Sequence, residues 1–171
     1  MPVGGQRVNA IEALASTPHI TCSIAQERTL VSADAIAGVL GGIGRRRAVS
    51  TDFALTEAVR AGLPIAALDR LIASGVIAEH EVEACFIPRR TLYARRQKGT
   101  LSREQSDLIV RLARIQAMAD DVLGERPRSH SWLRRPNGAL DGEIPLALLD
   151  TEEGGRLVEA VLGRIAHGIV E

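Results

Sequence analysis

From residue 51 onward, apolar positions recur at helical spacing and are punctuated by caps and stops. Thr51 or Asp52 can cap a helix that runs to about Ala61, where Gly62 ends it. Pro64 opens a second helix, Pro64–Ala73, with Ile65, Leu68, Leu71 and Ile72 on one face, and Gly75 ends it. A third begins near Ala78, carries Val82, Cys85 and Phe86, and is stopped or redirected by Pro88. A fourth runs from about Arg89 to Gln97, with Gly99 as its stop. Ser102, with Gln105 three positions on, forms a capping box for the longest helix. Its apolar positions are Leu108, Ile109, Leu112, Ile115, Ala119 and Val122, and Gly124 ends it. The segment Glu125–Ser129, with Pro127, reads as a loop and a boundary.

Beyond that boundary, Trp132 and Leu133 read as anchors of a small second core. Pro136-Asn137-Gly138 reads as a turn, and Gly142 and Pro145 mark a second break. Leu140, Ile144, Leu146, Leu148 and Leu149 supply apolar surface. Thr151 caps a last helix, predicted to bury Leu157, Val158, Val161, Leu162 and Ile165, with His167 in its final turn and Gly168 just past it. Residues 1–50 are less regular. MPVGGQ reads as a flexible tail and residues 8–15 as a short helix. Ser32–Leu40 reads as a helix capped by Ser32, running into Gly41, Gly42 and Gly44 and then Arg45–Arg47. That arginine triplet is either an arm that touches phosphate or a solvated linker.

Composition supports an all-α chain. Of 171 residues, 46% are hydrophobic and only 2% aromatic (Phe53, Phe86, Tyr93 and Trp132). The apolar content is mostly Ala, Leu, Ile and Val, and strand-forming aromatics are scarce. Cys22 and Cys85 form no disulfide framework, and His19 with Cys22 lacks a second ligand pair, so neither a metal nor a cofactor is expected. No basic leader with an apolar run and no membrane-spanning stretch is visible, which points to a cytoplasmic protein without a membrane partner.

The net charge is zero, yet the charges are segregated. Phe86 to Arg103 holds six basic residues (Arg89, Arg90, Arg95, Arg96, Lys98, Arg103) and no acid. Pro136 to Glu171 holds seven acids against Arg156 and Arg164. Residues 79–99 carry two short helices with a tight break, the pattern of a helix-turn-helix. Its second helix would present Arg89, Arg90, Thr91, Tyr93, Arg95 and Arg96, with Lys98 just after, and would point Leu92 inward with Phe86 and Ile87. Residues near its N-terminus could reach base edges, and the later ones phosphate. The bland alternative is a solvated face, or a corner used for protein contacts. Nothing resembles a catalytic triad, a phosphate-binding loop or a metal cluster, so no enzyme is expected. His130 with Asp141 could be imagined as an acid–base pair, but an exposed loop histidine is the better reading.

Three runs in one order, Ser102-Arg103-Glu104-Gln105-Ser106, WLRRPNGALDGEIPLALLDTEEG and VEAVLGRIAHG, resemble the Xre/MbcA/ParS antitoxins of type II toxin–antitoxin modules. The resemblance spans roughly residues 51–171 and is strongest from Trp132 to Gly168. It implies an Xre-like helix-turn-helix bundle over 51–124 and a small helical toxin-binding domain over 129–171, with 1–50 unassigned. It also implies a RES-domain toxin that uses NAD, occlusion of that toxin's pocket by the antitoxin's C-terminal region, and repression of the operon by a homodimer on operator DNA. The expected toxin-binding residues are Asn137, Arg164, His167, Gly168, Ile169, Val170 and Glu171. Trp132 and Pro145 read as structural, and Asn137 as either a turn former or a toxin contact. The runner-up is a plain helix-turn-helix regulator whose C-terminal domain dimerises or senses a ligand.

Overall fold

The computed structural model describes residues 31–41 and 51–168. The predicted helix at 8–15, Arg45–Arg47, His19, Cys22 and Ile169–Glu171 lie outside the described residues. The described chain folds as helices α1 (Ala33–Val39), α2 (Asp52–Ala61), α3 (Ile65–Ala73), α4 (Glu79–Glu81), α5 (Arg89–Lys98), α6 (Arg103–Leu123), α7 (Arg126–Leu133) and α8 (Glu152–Ala166). A π-helical turn, Val82–Phe86, continues α4, and two 3-10 turns, Gly138–Leu140 and Ala147–Asp150, lie between α7 and α8. Among the described residues there is no strand; one antiparallel bridge pairs Pro64 with Thr100. The chain is all-α.

Helix α6 is the axis. It is roughly 30 Å long at ~1.5 Å per residue, and packs against α1, α2, α3, α7 and α8. Leu108, Ile109, Val110, Leu112, Ala113, Ile115, Met118 and Ala119 are buried along it, more than half its circumference, as a helix enclosed by others requires. Its start is held by the capping box expected from the sequence: Ser102 Oγ accepts from the Gln105 amide, and Gln105 Oε1 accepts from the Ser102 amide. One turn on, the fully buried Ser106 accepts from the Leu63 amide at 2.8 Å and donates to the Ser102 carbonyl at 2.7 Å, which locks the α2–α3 connection onto α6. Gly62 is required at that crossing. Its φ is 87°, and a Cβ there would lie 2.7 Å from the Leu101 carbonyl oxygen.

Three expectations are corrected. The loop over Glu125–Ser129 is absent: only Gly124 and Glu125 break the chain, and α7 starts at Arg126 with Pro127 in its first turn, where a missing N–H costs nothing. The second core is not separate, because Leu133, Leu149, Val158 and Leu162 belong to the same apolar cluster as Leu68, Leu92 and Ile115. The helix expected over Ser32–Leu40 forms with Ser32 as its cap, and its Ile36 and Leu40 are buried in that same cluster. Leu157 is exposed, because it sits at the edge of the apolar arc of α8, about 100° from its centre at ~100° per residue.

The tightest approach is where α8 begins. A Cβ on Gly154 would fall 2.0 Å from the Leu148 carbonyl oxygen, and one on Gly155 would fall 2.9 Å from Cδ of Arg111. Gly163, in the same helix, faces open space. Gly154→Ala is therefore expected to destabilise the fold by about 1–3 kcal/mol through overpacking. Gly163→Ala should be neutral or stabilising by up to about 1 kcal/mol. Chemical denaturation of the two variants checks the contrast; equal effects would contradict it.

Candidate functional site

Two surfaces carry the residues singled out from the sequence. The first is α5 and its corner. Pro88 forces Ile87 out of the helical region (φ −131°, ψ 110°), and the Ile87 amide closes a π-type bond to the Val82 carbonyl at 2.8 Å. That turn ends α4 and sets α5 off in a new direction. Leu92 is buried, Ile87 is buried and Phe86 packs half-buried against the core, as expected. Arg89, Arg90, Tyr93, Arg96 and Lys98 are exposed, while Thr91 and Arg95 are half-buried.

The basic side chains are not equally available. Arg96 pairs with Glu79 at 2.6 Å and with Asp69 at 3.5 Å, and Arg89 lies 3.8 Å from Glu83. Arg90, Arg95 and Lys98 have no carboxylate within ion-pair distance among the described residues. The acids that neutralise part of the block come from α3, α4 and the π turn. The charge count along the sequence missed them, because it looked only within the block.

Glu81, the middle acid of this corner, faces the other way. Nε of Arg134 donates to one of its carboxylate oxygens and Nη2 to the other, both at 2.8 Å, and Nη2 also donates to the Val76 carbonyl at 3.1 Å. Burial pushes the Glu81 carboxyl up, but the hydrogen bonds from Arg134 and the Ala78 amide, with the Arg134 charge, outweigh it and hold it below its ordinary value. Arg134 follows α7, so this fork joins the helix-turn-helix corner to the C-terminal part of the chain.

The second surface is that C-terminal part. Asn137 acts as a turn former: its Oδ1 accepts from the Ala139 amide at 2.9 Å, and its carbonyl accepts from the amides of Leu140 and Gly142. Trp132 packs half-buried against the core and Pro145 is buried, which fits their structural reading. Thr151 Oγ1 caps α8 through the Gly154 amide at 3.0 Å. Arg111 lies under the start of that helix. It donates to the Leu149 carbonyl (3.0 Å), Glu152 (3.2 Å) and Asp107 (2.7 Å). At the far end Arg164, His167 and Gly168 are exposed. Arg164, His167 and Gly168 thus share one end of α8, whereas Asn137 belongs to a separate turn.

A polar cluster that the sequence did not reveal joins α6 to α7. Ser129 donates to Asp120, Gln116 donates to both, and Arg126 donates to Asp120. His130 is not an exposed loop residue. It sits half-buried on α7 beside the α3–α4 turn, 3.6 Å from where a Cβ on Gly75 would lie, and its Nε2 is enclosed without a partner. Burial, then the nearby Arg134 charge, lowers its pKa. Among the described residues no group of His, Cys, Asp or Glu is arranged to hold a metal, and no helix is long and apolar enough to cross a membrane.

With this geometry in place the comparisons are decisive. Residues 54–114 match the family described as Antitoxin Xre-like helix-turn-helix domain, and residues 118–168 match the Antitoxin Xre/MbcA/ParS C-terminal toxin-binding domain. The Antitoxin Xre of Pseudomonas putida is 33% identical over 121 residues, covering 70% of this chain and 76% of its own length. The chain belongs to the Xre/MbcA/ParS antitoxins. The Antitoxin Xre of Photorhabdus laumondii is 29% identical over 119 residues, 68% of this chain and 80% of its own. A Prs ADP-ribosylating antitoxin of a Sphingobium species is 35% identical over 77 residues, 40% of this chain and 48% of its own. The family is one of antitoxins of toxin–antitoxin systems, built from a helix-turn-helix and a toxin-binding domain.

His130 gives this region a pH dependence. A histidine with a lowered folded pKa binds fewer protons folded than unfolded, so stability rises with pH. The loss begins as pH falls through the unfolded value, about 6.5, and levels off below the folded one. The thermal midpoint should therefore drop between about pH 7.5 and 5.5. His130→Phe, which keeps an aromatic ring and removes the titration, should flatten that drop. An unchanged slope would contradict the assignment.

Proposed function

We propose that this antitoxin neutralises a RES-domain toxin that uses NAD by covering its NAD cleft with residues His167–Glu171, and that it represses its own operon through α5. In this reading residues 51–124 bind DNA, residues 129–171 bind toxin, and the antitoxin works in the cytoplasm as a homodimer within a toxin–antitoxin hetero-oligomer. The observation that carries it is the end of α8. A helix clamped at its start by Arg111 and the Gly154–Gly155 contact delivers the exposed Arg164, His167 and Gly168 at the edge of the matched toxin-binding region. NAD carries two phosphates, so a cleft that binds it presents positive charge, and the acidic Glu171 is complementary to it. The relative named for an ADP-ribosylating system supports a toxin of that chemistry.

Deleting Gly168–Glu171 and measuring toxin NAD turnover in the complex tests the first part. Turnover should recover; full inhibition by the shortened chain would overturn the reading.

For DNA, the free cations Arg90, Arg95 and Lys98 are the phosphate contacts, while Arg89, Arg96, Thr91 and Tyr93 border them on α5. Three contacts give a slope of log affinity against log salt of about −3, against about −4.5 if all five basic residues of the helix were engaged. Titration on the operon's own promoter fragment measures it. Arg90→Ala with Arg95→Ala should bring the slope to about −1 and leave toxin neutralisation intact. Loss of neutralisation would make α5 a protein-binding surface.

A further inference from the structure

Helix α8 buries one side and leaves another bare. Gly154, Gly155, Val158, Val161 and Leu162 are buried, and the helix packs against α6 and the 3-10 turn Ala147–Asp150. Around the helix from them Glu153, Leu157, Ala160, Arg164 and His167 are all exposed, at spacings of three and four residues that place them in one line. Leu157, the second residue of that line, is 52% exposed. A single exposed leucine is ordinary on a protein surface. This one lies inside the matched toxin-binding residues, on a line that leads to Gly168, where the chain leaves the helix. Arg164, one turn before that exit, has no carboxylate partner among the described residues.

Resting on the reading above, we infer that this line of α8 is the ridge on which the toxin seats: Leu157 fills an apolar pocket of the toxin, and Arg164 meets a toxin carboxylate. The tail then enters the cleft from a helix already docked along its length. The occupant is the toxin rather than a second copy of this chain, because the whole ridge lies within the residues that match the toxin-binding domain. Two copies packed on it would cover the toxin-binding region of each. The buried face of α8 is committed to α6, so the ridge is the side of the helix left for a partner.

The test is calorimetric titration of the full antitoxin with the toxin encoded beside it, carried as an inactive form. Leu157→Ala should weaken binding about 5–10-fold, the loss expected for a half-exposed leucine at the centre of an interface. Leu157→Lys should weaken it about 100-fold, because it also buries a charge against an apolar pocket. Lysine at this position follows Glu153 by four residues, which favours the helix, so a loss of affinity with an unchanged thermal midpoint reports on the interface. Phe53→Ser, at a still more exposed aromatic on α2, should bind as the unaltered chain does. Unchanged affinity in Leu157→Lys overturns the ridge. So does loss of self-association with toxin affinity unchanged, which would assign the face to a second copy. The two readings fail separately. If removal of Gly168–Glu171 relieves inhibition while Leu157→Lys binds normally, the tail stands and the ridge falls. If the shortened chain still inhibits fully while Leu157→Lys does not bind, the ridge stands and the tail falls.

Discussion

The close seating of the start of α8 on the 3-10 turn Ala147–Asp150 and on α6 is the constraint on which the rest of the C-terminal structure depends. It requires Gly154, because the Leu148 carbonyl of that turn occupies the space where a side chain would be, and Gly155 leaves room for the Arg111 side chain of α6. Arg111 is 11% exposed and donates to a backbone carbonyl and two carboxylates from beneath the helix start. A guanidinium suits this place because its planar fork serves several acceptors at once. Once that start is held, the direction of α8 is set, and with it the position at which the chain leaves the helix.

The same economy of contacts ties the two family regions together. Arg134 reaches from the end of α7 to Glu81 and to the Val76 carbonyl, so the corner that launches α5 and the segment that precedes α8 share one charged fork. The apolar cluster is continuous beneath it. The helix-turn-helix and the toxin-binding region are therefore packed as one body around α6, with the exposed cations of α5 and the exposed end of α8 on different helices.

Much of this was legible from local chemistry. Ser102 with Gln105, Thr151 before two glutamates, and the glycine stops at 62, 99 and 124 mark the element ends because each acts through its immediate neighbours. What escaped is what depends on residues distant in sequence. Pro127 reads as a breaker until the buried Ser129, bonded to Gln116 and Asp120, shows that it lies in the first turn of a packed helix. Arg89 and Arg96 read as free cations until Glu83, Glu79 and Asp69 are brought beside them. Leu157 reads as core because periodicity alone does not mark where an apolar arc ends; the buried residues Gly154, Gly155, Val158, Val161 and Leu162 centre about 100° away from it.

The central claim is that α8 is an anchored strut whose free side and end meet the toxin, while α5 is left to another partner. Hydrogen–deuterium exchange of the antitoxin with and without its toxin tests it most directly. The account predicts that added protection runs along α8 and the residues beyond it, with the amides of α5 exchanging as before. Protection of Arg89–Lys98 with no change along α8 would contradict it.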